Sequence, residues 1–218
     1  SSSVTPLAGM WMLGEIVLHH NQIADLSALS ASTAYTINAR DQLVSMPVVP
    51  QVATPIPVLD RNGDIATLGE LPDGLSVADG KITADAEGTY SVTFRSGDFA
   101  ATGEELSGTL TVVAAYHTFT VPTPTISGSA QVDATLTVDP GTWDPEPTEL
   151  SYQWKADGVD IQGATSNTYT VQAGDLGAEI SVMVTATRDE YTPASATASV
   201  NVPIVTTSFT APDDVTLS

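Results

Sequence analysis

The sequence predicts an all-β chain of two tandem sandwiches preceded by a small mixed N-terminal segment, and three observations carry that prediction. Threonine (30) and valine (22) together supply 52 of the 218 residues. These β-branched types lose side-chain freedom in a helix and pack well on a pleated sheet. The 16 Gly and 14 Pro recur along the chain between short stretches, the rhythm of many short strands joined by turns. Within those stretches apolar and polar residues alternate, as strands with one buried face require.

Proline clusters divide the chain. Pro47, Pro50, Pro55 and Pro57 fall close together, and Pro122 and Pro124 lie in a Thr/Pro run, so boundaries are expected near residues 55 and 120. The expected parts are an N-terminal docking or assembly segment with its Pro-rich linker (1–55), a small sandwich (56–117), a second sandwich (118–205) and a tail (206–218).

The first part holds an apolar stretch, 10–18, then a short helix with Ile23, Leu26 and Leu29 on one side, then strand-like segments at 34–39 and 42–49. It is too small to bury its own Trp, Met, Leu and Ile side chains, and no disulfide staples it. Its apolar surface is therefore expected to dock elsewhere, with Trp11, Met12, Leu13, Ile16 and Leu18 as the assembly contacts. In the second part, Gly74 and Gly80 suit turns, Tyr90, Val92 and Phe94 share one strand face, and Leu110, Val112 and Ala114 share another. In the third, alternation marks strands at 134–138, 150–154, 168–171, 180–187 and 194–202, with a turn at Asp157-Gly158.

Charge narrows the partners. Six Lys and Arg stand against 26 Asp and Glu, giving a net charge of −20. Such a chain repels phosphate backbones and anionic lipid, so neither nucleic acid nor electrostatic membrane attachment is expected. No apolar run approaches the ~18 residues that a membrane span needs. The first Lys or Arg is Arg40, so the opening lacks the basic region of a secretory signal, and a protein with its own cytoplasmic start is expected. The absence of cysteine excludes disulfides.

In the third part the order Trp154, Asp157-Gly158, Tyr169-Thr170-Val171 and Asp175-Leu176-Gly177 resembles an immunoglobulin-like domain. More narrowly, the run from PTPTISGSAQV to TRDEYTPASA resembles one repeat of the bacterial Ig-like modules found along surface proteins and on phage virion proteins. The second part, with LPDGLSVADGKITADAEGTYSVTF followed by GTLTVVA, is similar to Ig domains of bacterial and phage proteins. The resemblance implies that Trp154 fills the space between two sheets and that the Asp-x-Gly turn precedes a central strand. The chain departs from antibody-type domains in having no cysteine pair and in carrying Glu179 where a corner tyrosine would stand.

No constellation for catalysis is legible. The three histidines are His19, His20 and His117. Neighbours on a strand point to opposite faces, so His19 and His20 cannot both ligate one ion from regular strand geometry. Nucleophile elbows, zinc-protease motifs and phosphate loops are missing from the sequence. Asp60-Arg61-Asn62-Gly63-Asp64 opens like a calcium loop, but Ile65 and Leu71 occupy positions that need Gly and Glu. A turn through Asn62-Gly63 explains these residues more simply. Asp139, Asp144, Glu146 and Glu149 read as a solvated acidic loop. Trp143 is the one aromatic residue held out as exposed and hence as a candidate glycan contact, although packing is the favoured reading even there.

The sequence thus predicts a non-enzymatic protein with no cofactor and no metal. From the resemblance, the expectation is a structural component of a phage or phage-like virion, in a head, tail or fibre. Its expected partners are other virion proteins through residues 1–55, further copies of itself and a host surface glycan. The competing expectation is a spacer or adhesin of a bacterial surface.

Overall fold

The computed structural model describes residue 4 and residues 15–30, 36–97 and 104–204. The chain forms two compact units, 1–117 and 118–218.

Unit 1 contains β1 (Glu15–Val17), β2 (Thr36–Val48), β3 (Thr54–Pro55), β4 (Thr67–Leu68), β5 (Leu75–Ala78), β6 (Lys81–Ala84), β7 (Gly88–Ser96) and β8 (Glu104–Ala114). One sheet has the order β1-β2-β8-β7-β4 and the other β3-β6-β5. β2 runs parallel to both β1 and β8, and the remaining pairs are antiparallel. Because side chains alternate across a strand, Val44, Met46 and Val48 of β2 face inward beside Leu110, Val112 and Ala114 of β8 and Val92 and Phe94 of β7, all buried.

The division expected near residue 55 is therefore corrected. β2 is a full member of the larger sheet, and a single core runs from Val4 to Ala114. The segment 56–117 alone would leave the inner edge of β8 unpaired and one wall of the core open, and β2 closes both. The two strand-like stretches expected at 34–39 and 42–49 are one strand, broken only by a register shift between Ala39 and Gln42. The expected helix is a single 3-10 turn, Ser27–Leu29, although Ile23, Leu26 and Leu29 are all buried on one side as anticipated.

Unit 2 contains β9 (Thr125–Ser127), β10 (Thr135–Asp139), β11 (Glu149–Ala156), β12 (Val159–Asp160), β13 (Thr168–Thr170), β14 (Glu179–Thr187) and β15 (Ala194–Asn201). Its sheets have the orders β13-β10-β9 and β12-β11-β14-β15, with every pairing antiparallel. Their inner faces enclose Leu136, Val138, Trp154, Tyr169, Ile180, Val182 and Val184.

Two Asp-Gly pairs make the tightest connections. Asp79-Gly80 joins β5 to β6 and Asp157-Gly158 joins β11 to β12, all four residues at positive φ. That is the two-residue turn whose twist matches the flanking strands, and Gly after Asp is the pair that adopts it with least strain.

Candidate functional site

The centre of unit 2 is a polar knot set in an apolar core. Trp154, fully buried, stacks on Tyr169 with ring centroids 5.6 Å apart and donates its indole N–H to the carbonyl of Ser166 at 2.8 Å. The Tyr169 hydroxyl donates to Asp175 Oδ2 at 2.7 Å, and the same oxygen accepts the backbone N–H of Gln172, also at 2.7 Å. Burial first, then the hydrogen bond and the charge of Asp175, hold the Tyr169 phenol well above its ordinary range. The turn before β14 is thereby tied to β13. The Trp154 indole N–H, the Tyr169 hydroxyl and Asp175 Oδ2 are all engaged with protein partners, which makes the knot a structural device.

Trp143 is packed, the reading the sequence favoured over its candidacy as an exposed glycan contact. It is 5% exposed and packs edge-on against Phe119 at 5.8 Å, and Phe119 in turn packs on Tyr191 at 5.0 Å. Arg188 lies over the Tyr191 ring and donates to the carbonyl of Glu146. The ring that a sugar would need to stack on is covered by the protein's own side chains. Its indole N–H is buried without a hydrogen-bond partner.

The expected assembly contacts separate into two groups. Ile16 is buried in the core of unit 1, paired across β1 and β2 with Ile37, and Leu18 packs against the same core. Ile16 therefore presents no side chain to a partner, whereas Leu18 is only partly buried. Trp11, Met12 and Leu13 lie outside the described residues.

The acidic motifs resolve as turn chemistry. Asp60 Oδ1 accepts the N–H groups of Asn62 and Asp64 at 2.8 and 3.0 Å, and its other oxygen accepts the Ser96 hydroxyl at 3.1 Å. Both oxygens are thus used in holding the turn at Asn62-Gly63. His20 lies 3.7 Å from Asp41, both exposed. Among the described residues no three His, Asp or Glu side chains converge as a metal site, and no helix is long and apolar enough to cross a membrane.

A concavity not legible in the sequence is a groove of about 750 Å³ on the outer face of the larger sheet of unit 1, lined by residues including His20, Leu43, Thr93, Arg95 and Gly108. Gly69 and Gly108 line it at positions where neighbouring strands leave no room for a side chain. Away from it, the outward positions of β2, β7 and β8 are mostly Thr, Ser and Val, and the carboxylates concentrate in turns.

Strand order, packed inner faces and the tryptophan between sheets define tandem immunoglobulin-like β-sandwiches. No family model matches the chain. Over 204 residues it is 27% identical to the highly immunogenic outer capsid protein of Enterobacteria phage T4, with 80% of this chain and 52% of that protein covered. The chain thus spans about half the length of this relative. Among solved structures, the amphioxus IgVJ-C2 molecule is similar at 18% identity and a TM-score of 0.26, covering 61% of this chain and 72% of that one. Sidekick-1 immunoglobulin domains 1–5 are similar at 18% identity and a TM-score of 0.25, covering 74% of this chain and 39% of that one.

Proposed function

We propose that this chain is a non-enzymatic structural protein of a phage or phage-like particle, carried on the outside of the capsid and displaying its immunoglobulin-like units to the medium. The observation that carries this reading is the similarity to a phage outer capsid protein over 80% of the chain. The surface supports it. A net charge of −20, held largely in turns, keeps particles that carry many copies from aggregating. Attachment is to other virion proteins. Ile16 is buried in the core, so the contact is assigned to Trp11, Met12, Leu13 and the partly buried Leu18.

The test is where the native protein goes. Particles from a producing culture are banded on a density gradient, and the chain is quantified by mass spectrometry in particle and cell-envelope fractions. Co-banding at a constant ratio to the major capsid protein is the expected result. Recovery only with the envelope would overturn the reading in favour of a bacterial surface spacer.

A further inference from the structure

β15 is an open edge of unusual length for this molecule. It spans eight residues, Ala194–Asn201, while the other outer strands, β1, β3, β4, β5, β9, β12 and β13, have two to four. Its register with β14 is unbroken from Ala194 to Asn201, and it contains no proline, no charged residue and no bulge. Those are the usual means by which edge strands are protected from pairing with another chain.

The direction of its free groups follows from the ladder. Val202 donates to the carbonyl of Ala178 and accepts from the N–H of Gly177, each at 3.0 Å, so the even-numbered residues of this segment address β14. By alternation, Ser195, Thr197, Ser199 and Asn201 turn their N–H and C=O groups outward. Among the described residues no hydrogen bond reaches those groups. β9 approaches β15 from the facing sheet but is bonded to β10 alone.

We infer that β15 pairs antiparallel with β15 of a second copy of this chain, about a twofold axis at Ala198, joining two four-stranded sheets into one. In that register Thr197 faces Ser199 of the second copy, Ser195 faces its Asn201, and all four outward residues form hydrogen-bonded pairs. On the core side Ala196 meets Val200 and Ala198 meets its own copy. Every opposed pair is small and uncharged, so no carboxylate is desolvated. A second copy is favoured as the occupant because the strand is its own complement in this register. The chain's charge adds a signature: two bodies of −20 repel except through a neutral contact, so association must tighten as salt screens the rest.

The experiment is sedimentation of the purified full chain over a range of protein and salt concentrations. The expected result is a monomer–dimer equilibrium whose affinity rises about tenfold from low to high ionic strength. Thr197→Pro removes an N–H that β14 does not use, an edge position where proline is tolerated, and should give a monomer with an unchanged circular dichroism spectrum. Ser199→Lys, which places a cation on each side of the axis, should also be monomeric and serves if the proline variant unfolds. A monomer under all conditions, or a dimer that persists in folded Ser199→Lys, would overturn the inference. The measurement needs no particle, so its failure is separate from failure of the capsid assignment.

Discussion

Gly108 lies so close against the backbone of Gln42 that a Cβ at this position would overlap the Gln42 carbonyl, carbonyl carbon and amide nitrogen. The two residues are partners in the parallel β2–β8 pairing, at the point where its register shifts between Ala39 and Gln42. The shift brings the strands together, and only a residue without a side chain fits. Gly108→Ala should therefore destabilise unit 1 by about 3 kcal/mol, since neither backbone can move without opening the ladder. Thermal unfolding of the full chain followed by circular dichroism checks this, and an unchanged melt would mean that the strands can part at little cost.

Gln42 itself is fully buried, and its side chain does the work of a missing stretch of sheet. Its amide oxygen accepts the Ile23 N–H at 3.0 Å, and its amide nitrogen donates to the carbonyls of Leu18 and Arg40 at 2.6 and 3.0 Å. Those two carbonyls have other donors, Asn21 and His20, whereas Ile23 N–H depends on Gln42. Gln42→Leu keeps the volume and orphans that one donor, for an expected loss of about 2 kcal/mol. Denaturant unfolding measures it, and hydrogen exchange at Ile23 should accelerate more than at neighbouring amides.

These two residues show why the pairing of β2 is not legible in the local sequence. The alternation of Val44, Met46 and Val48 was legible in the sequence, as were the turns at Asp79-Gly80 and Asp157-Gly158 and the burial of Trp154. Which strand would accept β2 was not legible. Parallel pairing with β8 joins residues some 66 positions apart, from Gln42 to Gly108, and local pattern carries no information at that range. Proline at 47 also pointed the wrong way. Pro47 lies inside β2, paired opposite Val113 with its ring on the exposed face, so a residue read as a linker marker is part of a strand. Ile16 reads from sequence as an assembly contact for a related reason: it is an apolar residue in a short segment, and whether such a residue faces a partner or its own core depends on strands distant in sequence.

Tyr169 and Asp175 make a pH-dependent contribution whose sign is fixed by the raised phenol. In the unfolded chain the phenol loses its proton near pH 10, whereas in the folded chain it keeps it above that point. The folded state then binds more protons than the unfolded one, so stability is constant in this group below about pH 10 and falls as pH rises beyond it. Tyr169→Phe should cost about 2 kcal/mol at neutral pH through loss of the bond to Asp175. It should also flatten the alkaline decline. Urea unfolding of both proteins across the alkaline range tests the two effects together, and parallel pH profiles would show that Tyr169 ionises normally.

Trp143 offers a separation between packing and recognition. Its ring is buried against Phe119 and its indole N–H has no partner, so the nitrogen is a burden that the ring's apolar surface offsets. Trp143→Phe removes the unpaired donor while keeping an aromatic face, and should leave stability within about 1 kcal/mol of the parent or raise it. Trp143→Ala opens a cavity and should cost about 3 kcal/mol or more. If Trp143 instead stacked on a sugar, both variants would lower affinity for polysaccharide in proportion to lost aromatic surface, with the folded Trp143→Phe protein already impaired. Calorimetric unfolding of the two variants, paired with polysaccharide binding by the folded one, distinguishes these outcomes. The buried ring predicts that stability tracks the substitutions and that Trp143→Phe binds polysaccharide no differently from the parent.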